Sequence, residues 1–245
     1  RYKDRISVEL DNTLTETELG SLNKKTGKVR DQYDLGKYLA LITTDRQSAF
    51  DRVLAAIPYK GAVLNSVSAW WFKKTEHLFP NHLISTPDPN VSIVEKCTVF
   101  PVEFVVRGYI TGTTDTSLWT VYNNGDREYC GNALPEGLKK NDKLDAPMLT
   151  PTTKDKVHDR PVSREEIIDL GLMSAEDYDI AAKMSLDLFA FGQETAKKNG
   201  LILVDTKYEI GTGSSGEIKF VDEIHTPDSS RFWISDSYKE RIDAG

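Results

Sequence analysis

The chain has 245 residues, 39% hydrophobic and 28% charged, with a formal net charge of −7. Such a composition describes a globular protein large enough for one big domain or two lobes sharing a cleft. It excludes a helical bilayer span, since no apolar run approaches the roughly 20 residues required, and the negative charge argues against nonspecific nucleic-acid binding. A cleft for anionic ligands would then have to gather its own lysines, arginines or divalent cations against the global field. The opening residues Arg1-Tyr2-Lys3-Asp4-Arg5 include neither an apolar signal core nor an initiator Met, so a chain trimmed at this end is expected. Cys97 and Cys130 match no metal-ligand spacing and read as buried reduced thiols, which points to a cytosolic address.

Residues 1–26 are polar, and Leu10, Leu14, Leu19 and Leu22 suit a short helix and a strand. Gly27-Lys28-Val29-Arg30-Asp31 follows, ahead of the apolar stretch Leu39-Ala40-Leu41-Ile42. A glycine and a lysine in a turn between strands can cover phosphates with backbone N–H groups and one point charge; an ordinary hairpin has the same composition. Residues 43–51 (TTDRQSAFD) are densely polar and by themselves read as a helix N-terminal cap. A helix is expected over 65–78, with Trp70, Trp71 and Phe72 as packing aromatics.

Strands are expected over 91–95 and 98–106. Pro101 cannot donate to a ladder and marks an edge, a bulge or a connection. Glu103 interrupts an apolar run that Arg107 ends. A charge there is costly unless paired or ligated, which leaves a structural Glu–Arg pair and a binding role both open. Residues 134–163 show no period, and a loop of that length is either disordered or functional. Ser163 with Glu166 forms a capping box, and Ser174 with Asp177 a near version of one. Tyr178, Ala181, Ser185, Leu188, Phe189, Gly192 and Ala196 fall at helical spacing and predict one buried face.

That helix delivers the chain into the apolar run Leu201-Ile202-Leu203-Val204, which has the length of a buried strand. Beyond it Asp205, Lys207 and Glu209 alternate to one face, with Tyr208 and Ile210 opposite. Residues 211–216 read as a hairpin loop and 218–224 as the return strand. Neighbouring strands lie about 4.8 Å apart, so carboxylates on the two arms can share a divalent cation. The following turn carries Ser229, Ser230 and Arg231, a natural grip for phosphate.

The segments VDTKYEIG (204–211) and VDEIHTPDSSRFW (221–233) closely resemble the two signatures of the SAICAR synthetases of purine biosynthesis. The resemblance runs in order from Gly27 to Trp233, through residues 43–51, 58–64 and 148–154, and includes His158 and Asp159. Gln47 stands where the family usually has Ile. Arg160 and Pro161 stand where members often have Glu-Asn, so no role is carried over to them. Family members usually continue beyond the equivalent of Trp233, and an incomplete C-terminus is expected.

The resemblance implies an α+β, two-lobed SAICAR synthetase-like fold, related to ATP-grasp, with an ATP cleft between the lobes. It implies an N-terminal β-rich lobe over 1–100 with a phosphate-covering loop, and a C-terminal α+β lobe over 101–245 with metal and substrate sites. In such an enzyme the connection at Pro101 would be the hinge whose backbone reads adenine. The implied reaction joins L-aspartate to 5-amino-1-(5-phosphoribosyl)imidazole-4-carboxylate (CAIR), consuming ATP. A carboxylate is a poor electrophile, and phosphorylating it first gives an acyl phosphate that an amine can attack. By the same resemblance Mg²⁺ is held by Glu209 and Asp222, which with Lys207 form the catalytic group. Gly27, Lys28, Val29, Arg30, Asp205 and Lys207 face ATP. Ser48, Asp51, Glu103, Arg107, Ser229, Ser230 and Arg231 face the imidazole substrate. The expected partners are ATP, CAIR and L-aspartate, with no nucleic acid and no membrane. One rival is a small-molecule kinase using the same ATP site; the long 134–163 segment argues against it, because a second acceptor needs its own surface. A regulatory protein without turnover is the other, and retention of both carboxylates and both phosphate lysines argues against that.

Overall fold

In the computed structural model, which describes residues 2–49, 52–154 and 160–244, the chain folds as two units. One comprises Arg1–Thr98 and Gly213–Glu217, the other Val99–Thr212 and Ile218–Gly245. The first unit contains α1 (Tyr2–Val8), β1 (Lys24–Thr26), β2 (Arg30–Asp34), β3 (Tyr38–Thr43), β4 (Arg46–Ala49), β5 (Arg52–Ala56), α2 (Lys60–Thr75), β6 (Leu83–Asp88) and β7 (Val91–Glu95). Alternation in β2 and β7 buries one face of each, and the strands assemble in the order β1-β2-β3-β7-β6. Every pairing in this sheet is antiparallel. Tyr33, Ala40 and Ile42 form its core, with Leu14, Val91 and Ile93 packed against them.

Two expectations for this unit need correction. Of the four early leucines only Leu14 joins the core; Leu10, Leu19 and Leu22 are exposed, and α1 ends before any of them. Residues 46–49 are not a helix cap but β4, paired with β5. The capping idea survives in a different place. Asp45 Oδ1 accepts the Gly61 N–H at 2.9 Å, in the first turn of α2, where helix N–H groups lack partners. Helix α2 therefore begins at Lys60, ahead of the expected start at 65. It buries Leu64, Trp71 and Phe72, while Trp70 is exposed.

The second unit contains β8 (Thr98–Tyr109), α3 (Leu118–Asn123), β9 (Glu128–Tyr129), β10 (Asn132–Ala133), β11 (Lys143–Leu149), β12 (Thr152–Thr153), α4 (Arg164–Asp169), α5 (Ala175–Lys197), β13 (Leu201–Thr212), β14 (Ile218–Val221), β15 (Ser230–Ile234) and α6 (Ser235–Ala244). Its main sheet runs β11-β8-β13-β14, with β12 also on β8 and β15 also on β13. The segment expected as a long loop thus holds two strands, both antiparallel to β8. Pro147 and a register shift between Lys143 and Met148 erase the two-residue period that would have revealed them. Pro101 lies inside β8, where its carbonyl accepts the Lys154 N–H at 3.1 Å. His158 and Asp159 lie outside the described residues.

Helix α5 buries Tyr178, Ala181, Ser185, Leu188, Phe189, Gly192 and Ala196, the face that the spacing predicts, and packs on β13. Gly192 is the point of closest approach. A Cβ there would overlap His225 Cε1 and come within 2.8 Å of Leu203 Cδ2. The edge of β13 is shared by two short strands. β15 pairs with its first half, from Leu201 to Thr206, and β14 with its second, from Glu209 to Thr212. Between them the chain over 222–228 bends away from the ladder. β14 stops at Val221, short of the expected 224, because Asp222 (φ 63) and His225 (φ 53) take left-handed backbone conformations that end a strand.

Candidate active site

Two short strands meeting on one edge leave the middle of β13 facing a bend, and the charged residues collect there. Asp205, Lys207 and Glu209 share a face, while Tyr208 and Ile210 on the other side are fully buried. Lys207 Nζ donates to Glu103 Oε1 of β8 at 2.7 Å and to Glu209 Oε1 at 3.1 Å. Lys154, just after β12, pairs with the other Glu209 oxygen. Burial would lower the Lys207 pKa, but the fields of Glu209, Glu103 and Asp222 outweigh it and hold the ammonium above the ordinary lysine value. Three carboxylates therefore face two ammonium groups.

That excess suits a hard divalent cation. Mg²⁺ takes one or two protein carboxylates and completes its shell with phosphate oxygens and water. Glu209 sits opposite Val221 in the ladder, so Asp222 comes directly after β14 ends, at the start of the bend. Among the described residues no group of three or more His, Cys, Asp or Glu side chains forms a ready-made metal cage.

Two residues upstream on the same face lies a second cluster. Arg231 of β15 grips Asp205 with both branches of its guanidinium, Nε to Oδ1 at 2.8 Å and Nη2 to Oδ2. Arg107 Nη1 stands 3.9 Å from Asp205 Oδ2, and Arg107 Nε donates to Thr150 Oγ1 at 2.8 Å. Burial lowers the pKa of the Arg107 guanidinium and Asp205 opposes that shift; two arginines against one carboxylate leave a net positive charge. The Arg231 side chain is 47% exposed. Asp205, expected at ATP, and Arg231, expected at the imidazole substrate, are thus direct partners. Of the two readings left open for Glu103 and Arg107, the direct pair does not form; Glu103 takes Lys207 and Arg107 takes Asp205.

The turn between the clusters is internally bonded. Ser229 Oγ accepts the Thr226 N–H at 3.2 Å, and the Ser230 and Thr206 hydroxyls share a hydrogen bond of 2.7 Å. The Lys207 N–H donates to Ser229 O at 3.0 Å, tying the turn to β13. Beneath it the Tyr208 hydroxyl and His225 Nε2 lie 2.5 Å apart. Burial pushes the His225 pKa down to about 3, leaving the ring neutral.

The remaining predicted site residues belong to the first unit. Gly27, Lys28 and Val29 connect β1 to β2, which Arg30 opens. Ser48 lies half-buried on β4, and Asp51 lies outside the described residues. Sequence reasoning assigned no role to Lys154, Thr150 or His225. The first two fall in the 148–154 segment already tied to function, and His225 sits inside the second signature; only its contact with Tyr208 sets it apart.

Comparison with known proteins agrees along most of the chain. The SAICAR synthetase family profile matches residues 23–244. A phosphoribosylaminoimidazole-succinocarboxamide synthase from Legionella pneumophila (strain Lens) is 62% identical over 232 residues, covering 95% of this chain and 74% of that protein. The Saccharomyces cerevisiae SAICAR synthase solved in complex with SAICAR is similar at a TM-score of 0.80 and 34% identity, covering 92% of this chain and 81% of that one. A type-2 SAICAR synthetase solved in complex with ADP is similar at a TM-score of 0.74 and 26% identity, covering 91% of each chain. With the two signature segments folded into one edge-sharing strand system and a family match of this extent, the chain belongs to the SAICAR synthetase family.

Proposed function

We infer that this chain is a carbon–nitrogen ligase that joins L-aspartate to the carboxylate of CAIR, using ATP and giving SAICAR, ADP and phosphate. The observation that carries the reading is the pairing on one face of β13: a lysine among carboxylates at 207–209 and a double-arginine cluster at 205. Transfer of a phosphoryl group onto an anionic acceptor needs both, one for the ATP phosphates and one for the acceptor.

In this reading Glu209 and Asp222 would hold Mg²⁺, which would supply positive charge for the ATP phosphates. Lys207 and Lys154, now on Glu209, turn their ammonium groups to the transferred phosphoryl oxygens. Arg107 and Arg231 hold the substrate phosphate, with Ser229 and Ser230 in the turn beside them, and Glu103 and Ser48 with Asp51 contact the imidazole. Asp205 holds the two guanidiniums side by side through its two oxygens; a contact with the ATP ribose would compete with Arg231 for the same oxygens. Gly27, Lys28, Val29 and Arg30 cover the ATP phosphates. The ATP cleft, the kinship to ATP-grasp folds, the division of these tasks between the lobes and the cytosolic address are parts of the same proposal. Among the described residues no helix is long and apolar enough to cross a membrane.

The route runs through an acyl phosphate, so one carboxylate oxygen leaves with the phosphoryl group. CAIR labelled with ¹⁸O in its carboxylate should deliver one labelled oxygen into inorganic phosphate, only when aspartate is present. Stoichiometric unlabelled phosphate would exclude the acyl phosphate, and ADP release with a stable phosphorylated product would mark a kinase instead.

A further inference from the structure

The residues just before Ser48 hold the phosphate-loop candidate by its backbone. Three successive carbonyls, those of Gly27, Lys28 and Val29, are all engaged from the same motif. Arg46 Nη2 donates to Gly27 O at 3.0 Å and Arg46 Nε to Lys28 O at 3.1 Å. The Thr44 N–H and hydroxyl both donate to Val29 O, at 2.9 and 2.8 Å. The guanidinium is itself fixed. Nη1 donates to Thr15 O at 2.6 Å and Nη2 to Asp31 Oδ1 at 2.8 Å. Asp31 is fully buried, and its second oxygen accepts the Thr17 hydroxyl at 2.7 Å and the Thr17 N–H at 3.2 Å, with Lys24 Nζ at 3.3 Å. The Gly27 N–H closes the turn onto Arg30 O at 2.7 Å.

None of these peptides is cis. A planar trans peptide points its N–H opposite its C=O, so carbonyls drawn to Arg46 turn the Lys28 and Val29 N–H groups the other way. Two successive N–H groups on one side form a concavity suited to an anion. We propose that Arg46 is a positioning residue that, with Thr44, holds the 27–30 loop in its phosphate-facing conformation. The proposal rests on the reading of that loop as an ATP-phosphate cover. Arg46 touches no reacting atom in this scheme; it acts through the loop backbone. A lysine at 46 would keep the charge opposite Asp31 but lose the fork that reaches several acceptors at once.

The test uses the full chain and reads loop order apart from catalysis. In Arg46→Lys the amide-exchange protection of Gly27 should fall about tenfold or more, while β3 amides keep theirs. The KM for ATP should rise about tenfold, with the KM for CAIR changed by less than about twofold. Unchanged Gly27 protection, or an equal loss of protection throughout β3, overturns the proposal. Lost protection with an unmoved KM for ATP supports the positioning role and overturns the phosphate assignment of the loop instead. Should Arg46→Lys fail to fold, Thr44→Val removes one donor to Val29 O and keeps the side-chain shape. The same two readouts should then move together, by about threefold, and Gly27 protection unchanged in that variant overturns the proposal as well.

Discussion

The two units each contain a knot of charge, centred on the buried Asp31 in one and on the half-buried Lys207 in the other, and the knots differ in how far they are satisfied. In the first, Asp31 accepts from Thr17, Lys24 and Arg46, and the Arg46 guanidinium spends its donors on three backbone carbonyls and Asp31. In the second, Glu103, Glu209 and Asp222 surround Lys207, with Lys154 at the side, and carboxylates outnumber cations. A saturated network fixes a shape, because each member already has its geometry. An unbalanced one retains affinity for a further ion. On the proposed reading, the contrast explains how one chain can use similar residues as scaffold in one place and as chemistry in another.

Breaking the unbalanced knot should give the largest effect. Glu209→Gln removes an anionic ligand and should cost on the order of a thousandfold in kcat, about 4 kcal/mol, with the thermal midpoint little changed. Steady-state ADP release with calorimetric melting checks both halves, and near-normal turnover at ordinary Mg²⁺ would sink the assignment. The saturated knot should respond in the opposite way. Asp31→Asn leaves Arg46 without its counter-charge and should lower stability by about 3 kcal/mol without altering the Mg²⁺ requirement. Urea unfolding and an Mg²⁺ titration decide that. A shifted Mg²⁺ requirement would show that the knots are not separate in function.

Arg231→Lys sharpens the comparison inside the second unit. It keeps the charge but loses the two-branched grip on Asp205, and should raise the KM for CAIR about tenfold with little effect on ATP. Equal damage to both would remove Arg231 from the substrate cluster. The smallest expected effect concerns acid. His225 is neutral in the fold, its pKa depressed to about 3, whereas in the unfolded chain it takes a proton below about 6.5. The unfolded state therefore binds more protons between these values. Stability contributed by the neutral ring is complete above that window and lost as pH falls through it, by at most about 1.4 kcal/mol per unit. In His225→Gln the difference in stability between pH 6.5 and pH 5 should shrink; an unchanged slope would place the acid sensitivity elsewhere.

Much of this was legible in the residues. The α5 face follows from spacing alone, because a long amphipathic helix repeats its signal many times. The Ser163 capping box closes as read, Ser163 Oγ receiving the Glu166 N–H at 3.2 Å. The alternation of Asp205, Lys207 and Glu209 against Tyr208 and Ile210 was likewise visible. The strands β11 and β12 were not, since Pro147 and a shifted register leave no period to read. Nor could spacing show that Glu103 would choose Lys207 over Arg107, or that Asp45 would cap a helix beginning at Lys60; both depend on contacts far apart in sequence. The early stop of β14 has a similar cause. Left-handed conformations at Asp222 and His225 are set by the packing of the bend, and aspartate and histidine tolerate them without announcing them.

Gly192 bears on anyone who would make this protein sturdier. Replacing a mid-helix glycine with alanine is ordinarily a safe gain, near 1 kcal/mol, from a less floppy unfolded chain and a better helix former. Here the added methyl would strike the His225 ring and Leu203, and that ring holds Tyr208, the neighbour of Lys207 and Glu209. A substitution chosen for rigidity in a distant-looking helix would thus shove β13, the strand to which the proposed function gives the chemistry. At this position a weaker helix is the condition for a well-seated imidazole, and thermostabilising libraries should leave it alone.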